Sequence, residues 1–96
     1  MGFVIHASHK AYTVSYHAAR RMMQRYISED MVIATLENGA LNHQPQGLDV
    51  YRYLIDDDLL ETTVMVRVVV NESTRMIVSV IDETGSVEDN DDDDEG

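Results

Sequence analysis

The spacing of apolar and polar residues changes period twice along this chain of 96 residues. Phe3–Ile5 is a short apolar run followed by small and polar residues, suited to a short edge strand or a loose arm. Tyr12, Thr13 and Val14 favour a strand over Ala11–Ser15. The period then becomes helical. Ala18, Ala19, Met22, Met23 and Tyr26 gather on one side, and His17, Arg20, Arg21, Gln24 and Arg25 on the other. A first helix is expected from about His17 to Tyr26, capped by Ser15 or slightly earlier by Thr13. Ser28 is the N-cap of a second, with Glu29 and Asp30 at the positive end of its dipole and Val32, Ile33 and Leu36 at helical spacing. Asn38-Gly39 stops it, glycine being able to take the left-handed conformation there. With so short a link the two helices form a tight corner.

From Ala40 the period becomes two. Leu41–His43 starts a strand and Gln44-Pro45-Gln46-Gly47 is a turn. In Leu48–Ile55, Leu48, Val50 and Leu54 fall on one side and Tyr51, Tyr53 and Ile55 on the other. Asp56–Asp58 is a polar connection, without the spaced ligands of a calcium loop. Leu60–Val70 is the longest strand, and both its faces are apolar over Val64–Val70 except at Arg67, which suits a central strand. Asn71–Thr74 turns the chain into a last strand, Arg75–Ile81. The expected fold is α+β: two N-terminal helices packed on an antiparallel sheet of three to four strands. One domain is expected over residues 1–87, followed by a disordered acidic tail, 88–96.

Charge sharpens this picture. The net charge is −11, yet residues 1–28 contain Lys10, Arg20, Arg21 and Arg25 and no acid, and residues 29–96 carry −15. An acidic average opposes non-specific nucleic-acid binding. It leaves room for a local basic site, because at physiological salt charges beyond about 8 Å are strongly screened. Cysteine is absent, which excludes disulfides and thiolate chemistry. No apolar run nears the roughly 18 residues of a membrane span, and the N-terminus lacks a signal-peptide layout, so no membrane association and a cytoplasmic location are expected.

The strongest chemical constellation is His17, Arg21 and Arg25, with Arg20 beside it. Guanidinium groups bind phosphate in bidentate geometry, and histidine gives or takes a proton near neutral pH. Together they suit a phosphodiester attacked by the 2′-hydroxyl of RNA, the arginines stabilising the phosphorane. That chemistry requires no metal or other cofactor. A charged stripe is also the ordinary appearance of a solvated helix face. Arg67 interrupts an apolar strand, so it should be paired or functional. With a three-residue loop at Asp56–Asp58, Tyr51, Tyr53, Glu61 and Arg67 share one face, either as a base-stacking and phosphate-binding surface or as an Arg67–Glu61 pair beside packed tyrosines. His6 and His9 have a spacing that would suit a metal on a helix, but no third ligand accompanies them. His43 reads as a loop residue, and Met22 and Met23 as core filler.

The stretch YHAARRMMQRYISEDMVIATLENG resembles the family called domain of unknown function 4258, through His17, Ala18, Arg21, Arg25, Ile27, Ser28, Glu29 and Gly39. The resemblance covers about residues 12–82. It implies a relation to the RelE/ParE-like and BrnT-like toxin folds. It also implies a metal-independent ribonuclease acting on RNA or the ribosome, with a cognate antitoxin as partner. Three readings therefore stand together. One is an RNA-cleaving enzyme with His17, Arg21 and Arg25 as catalytic residues and Arg20, Arg67, Tyr51 and Tyr53 as binding residues. Another is a non-enzymatic binding module that engages protein or nucleic acid through the basic helix face, or through a strand edge at Leu48–Ile55 or Arg75–Ile81. In the third, the acidity is an adaptation to high salt.

Overall fold

The computed structural model describes residues 3–57 and 62–83. The expected tail and Glu61 lie outside them. The order is β1 (Phe3–Ala7), β2 (Lys10–Val14), α1 (Tyr16–Arg25), α2 (Glu29–Asn38), β3 (Ala40–Gln44), β4 (Leu48–Asp57), β5 (Thr62–Asn71) and β6 (Met76–Asp82). The fold class is α+β as expected, but the sheet is larger and of different topology. Six strands run β1-β2-β6-β5-β4-β3. Every neighbouring pair is antiparallel except β2 and β6, which run parallel over Thr13–Val14 and Met76–Ile77. The helices follow a β-hairpin and do not begin the fold.

That hairpin turns at Ser8-His9, both at positive φ, with Ala7 opposite Lys10. Two left-handed residues give the backbone twist that a two-residue hairpin needs. His6 therefore sits on a strand and His9 in a turn, not on one helical face. Among the described residues no group of three or more His, Asp or Glu is placed to hold a metal ion. No helix is long and apolar enough to cross a membrane.

Both helices cover one face of the sheet. Val66, Val68 and Val70 of β5, Ile77 and Val80 of β6, and Tyr12 and Val14 of β2 meet Ala18, Met22, Ile27, Val32 and Leu36 in a single core. Burying such side chains is the main favourable term in folding. Because Tyr51 pairs with Val68 and Tyr53 with Val66, these tyrosines share the helix-covered face. Arg52 pairs with Arg67 on the opposite face. The expected Tyr51–Tyr53–Arg67 surface therefore does not form. β4 extends through Asp57 and β5 begins at Thr62, so four residues separate the strands instead of three. Changing that count by one sends alternate residues to the other face.

The strand edges differ from expectation too. β4 lies between β3 and β5, and β6 between β2 and β5, so the sheet ends at β1 and β3. β3 is exposed along its whole length, and His43 belongs to it, its Nδ1 2.7 Å from Asp49 Oδ1.

Candidate functional site on helix α1

Ser15 sets the position of α1. Its backbone N–H donates to Ile77 O at 3.1 Å and its hydroxyl donates to Val78 O at 3.2 Å. The same Oγ accepts from Ala18 N at 3.1 Å, an N-cap. One side chain thus starts the helix and fastens it to β6. The helix ends at Tyr26, which takes the left-handed conformation with φ 57°. Ile27 then turns into the core and Ser28 caps α2 by accepting from Met31 N at 3.2 Å.

The buried side of α1 differs from the expected one. Taking His17 as zero, buried Ala18 and Met22 fall at about 100° and 140°, and half-buried Arg21 and Arg25 at about 40° and 80°. Exposed Arg20, Tyr16 and Met23 fall at about −60°, −100° and −120°. The exposed side therefore centres on Arg20. Met23 and Tyr26, expected on the apolar side, are 78% and 90% exposed. Met22 is the core filler and Met23 is not.

An open hollow of about 320 Å³ lies on this helix, lined by Tyr16, His17, Arg20, Arg21 and Gln24. It brings together His17, Arg20 and Arg21. Arg25 is half-buried, already engaged in an interaction, and is not among the lining residues. The Arg20 guanidinium stands 5.9 Å from the centre of the Tyr16 ring, a cation–π contact within one face of the helix. Among the described residues neither Arg20 nor Arg21 pairs with a carboxylate. The other cations behave differently. Lys10 and Arg75 meet Glu72 at 3.9 and 3.2 Å, and Arg52 and Arg67 meet Glu83 at 3.3 and 3.2 Å. A stripe of unpaired guanidinium groups with a histidine can hold a phosphate and move a proton beside it.

Arg67 is thus paired, with Glu83, while its expected partner Glu61 lies outside the described residues. Its Nε is buried and not aimed for a hydrogen bond, so the contact is Coulombic attraction between close charges. Glu83 also neutralises Arg52, which stands directly across the ladder as a like charge. Tyr51 and Tyr53 lie on β4, two strands and about 10 Å across the sheet from β6, the strand under α1.

A second polar cluster was not foreseen. Tyr12 and Tyr51 both donate to Glu72 Oε2, at 3.2 and 3.4 Å, and Lys10 and Arg75 flank the other oxygen. Burial, and after it the charge of Glu72, pushes both phenol pKa values above the ordinary tyrosine range. Glu72 sits in the β5–β6 turn, and nothing in the local sequence marks it as a meeting point. The cluster ties β2, β4 and that turn together.

The chain is an α+β domain with a capped helix pinned along the sheet, and on that helix Arg20 and Arg21 have no carboxylate partner among the described residues. The chain belongs to the family described as Domain of unknown function (DUF4258), whose model matches residues 14–96. The match takes in His17, Arg21 and Arg25 and extends beyond residue 82, through the acidic end. No curated protein and no solved structure matches the chain.

Proposed function

We propose that this protein is a small, metal-independent ribonuclease of the toxin type, related in fold to the RelE/ParE-like and BrnT-like toxins, acting in the cytoplasm on RNA or on the ribosome and held in check by a cognate antitoxin. The observation that carries the reading is the set of lining residues around the α1 hollow, His17 beside two arginines that no described carboxylate neutralises. In the proposed reaction the 2′-hydroxyl of RNA attacks phosphorus while His17 takes its proton. The new O2′–P bond forms, the P–O5′ bond breaks, and water protonates the departing oxygen. Arg20 and Arg21 bind the phosphate and stabilise the added charge of the phosphorane. Arg25, which is not among the residues lining the hollow, takes no part in this proposed step.

The test is cleavage of a labelled mixed-sequence RNA in EDTA, with and without ribosomes, by wild type, His17→Ala and Arg21→Ala. The reading expects defined fragments from wild type and a loss of about 100-fold or more in each variant, as for removal of a general base or a charge-stabilising donor. Circular dichroism checks that both variants remain folded. Equal cleavage by all three would remove α1 from the chemistry. No cleavage by any form, at low or high salt, leaves the second reading: a binding module that engages its partner through the same helix face. The exposed Tyr16, Met23 and Tyr26 favour that alternative, since tyrosine, methionine and arginine are the residues enriched at interfaces.

A further inference from the structure

We propose that α1 carries a base-stacking track for single-stranded RNA, formed by Tyr16, Arg20, Met23 and Tyr26, beside the phosphate-binding hollow. The inference rests on reading α1 as RNA-facing and adds the form of RNA it takes. Tyr16, Arg20 and Met23 stand at i, i+4 and i+7, one above the next along the exposed side. Tyr26 continues the series three residues beyond Met23. The exposures are 59% for Tyr16, 78% for Met23 and 90% for Tyr26, so these are flat or polarisable groups left in water.

Two features set this series apart from incidental exposure. Tyr26 occupies the left-handed region, φ 57° and ψ 38°, where a bulky side chain is strained and where glycine or asparagine usually ends a helix. Strain of this kind concentrates at functional positions. Arg20 lies within the series with its guanidinium over the Tyr16 ring and no described carboxylate partner. Aromatic rings interleaved with unpaired arginine are what single-stranded nucleic acid uses, bases stacking on the rings while the cations follow the backbone. At 1.5 Å per residue, Tyr16 and Tyr26 are separated along the axis by about 15 Å. A duplex keeps its bases stacked inside, so it offers the track only its phosphates. Of the other three tyrosines, Tyr12 and Tyr51 are bound to Glu72, and Tyr53 lies on β4, two strands away from β6.

The experiment is fluorescence anisotropy with a labelled oligoribonucleotide, single-stranded and annealed to its complement, at fixed low salt. It uses the full chain carrying His17→Ala, so that cleavage does not interfere. Into that background go Tyr16→Ala, Tyr26→Ala, Tyr26→Gly and Tyr16→Phe. Stacking predicts that the single strand binds tighter than the duplex. Tyr16→Ala, Tyr26→Ala and Tyr26→Gly should each weaken single-strand affinity roughly ten-fold, the size of one base–aromatic stack. Tyr16→Phe, which keeps the ring, should bind as before. Tyr26→Gly should also raise the thermal midpoint, which separates lost stacking from lost folding. Equal affinity in all variants, or a duplex bound as tightly as the single strand, would overturn the proposal. So would tyrosine variants that change only self-association in sedimentation, since the face would then be a protein contact. Stacking without any cleavage by the His17-containing protein would sink the nuclease reading and leave this one standing. Cleavage indifferent to both tyrosines would do the reverse.

Discussion

At the scale of single residues, similar side chains separate by what surrounds them. Tyr26 is held in water at the end of α1, whereas Tyr12 is 2% exposed with its hydroxyl on Glu72. The raised phenol pKa values of Tyr12 and Tyr51 have a consequence for stability. A tyrosine whose pKa is higher folded than unfolded contributes stability that is fully present below pH about 10 and is lost as pH rises toward the folded value. Thermal midpoints should therefore fall above pH about 10, more steeply in wild type than in Tyr51→Phe. Parallel curves for the two proteins would show that Tyr51 is not the group concerned. Gly39 gives a second prediction. Its φ is −74°, so the left-handed conformation expected there is not used. What requires glycine is space: a Cβ would lie 2.5 Å from Thr35 O and 2.7 Å from Arg52 O, both backbone atoms. Gly39→Ala should cost about 2 kcal/mol by overpacking, readable by urea titration. A neutral substitution would mean that α2 and β4 can part without cost.

Elements were legible where their signals are local. Ser15, Ser28 and Asn38-Gly39 bracket the two helices to within about one residue, because caps and breakers act over a single turn. The first hairpin was not legible as such, since Ser8-His9 is a rare pair for a turn with two left-handed residues. The register of β4 on β5 was also missed, and with it the surroundings of Arg67, because parity depends on a loop count that alternation alone does not give. The candidate site was half legible. Helical spacing brought His17, Arg20 and Arg21 together, but periodicity could not place the buried arc near Met22 and so left Met23 and Tyr26 on the wrong side. Ser15→Ala tests how far α1 depends on its first residue. It removes the N-cap and the tie to Val78, and should cost about 1–2 kcal/mol. Under the proposed function RNA cleavage should fall as well, because His17 and Arg20 lie in the next turn. A fully active, equally stable variant would show that packing alone positions the helix.

For the whole molecule, the pairing of β2 with β6 joins segments more than sixty residues apart, and it turns the expected three or four strands into six. No local pattern encodes such a contact. The same scale reconciles the acidic average with a cationic site. The four cations outside α1, Lys10, Arg52, Arg67 and Arg75, pair with Glu72 or Glu83, whereas among the described residues Arg20 and Arg21 of α1 have no carboxylate partner. With Arg20 and Arg21 as the phosphate contacts, the logarithm of RNA affinity should fall with that of salt at a slope of about −1.4, from roughly 0.7 per phosphate on a single strand. A much steeper slope would mean that many more cations take part than α1 offers.

The central claim is that the α1 face carries out 2′-hydroxyl attack on RNA. The most direct test is to give the protein, in EDTA, a labelled RNA that it cleaves and the same sequence with a single 2′-deoxy nucleotide at the cut site, and to identify the new ends. The account predicts 2′,3′-cyclic phosphate and 5′-hydroxyl ends from the RNA and no cut at the deoxy position. Cleavage at the deoxy position, or products ending in 5′-phosphate, would contradict it.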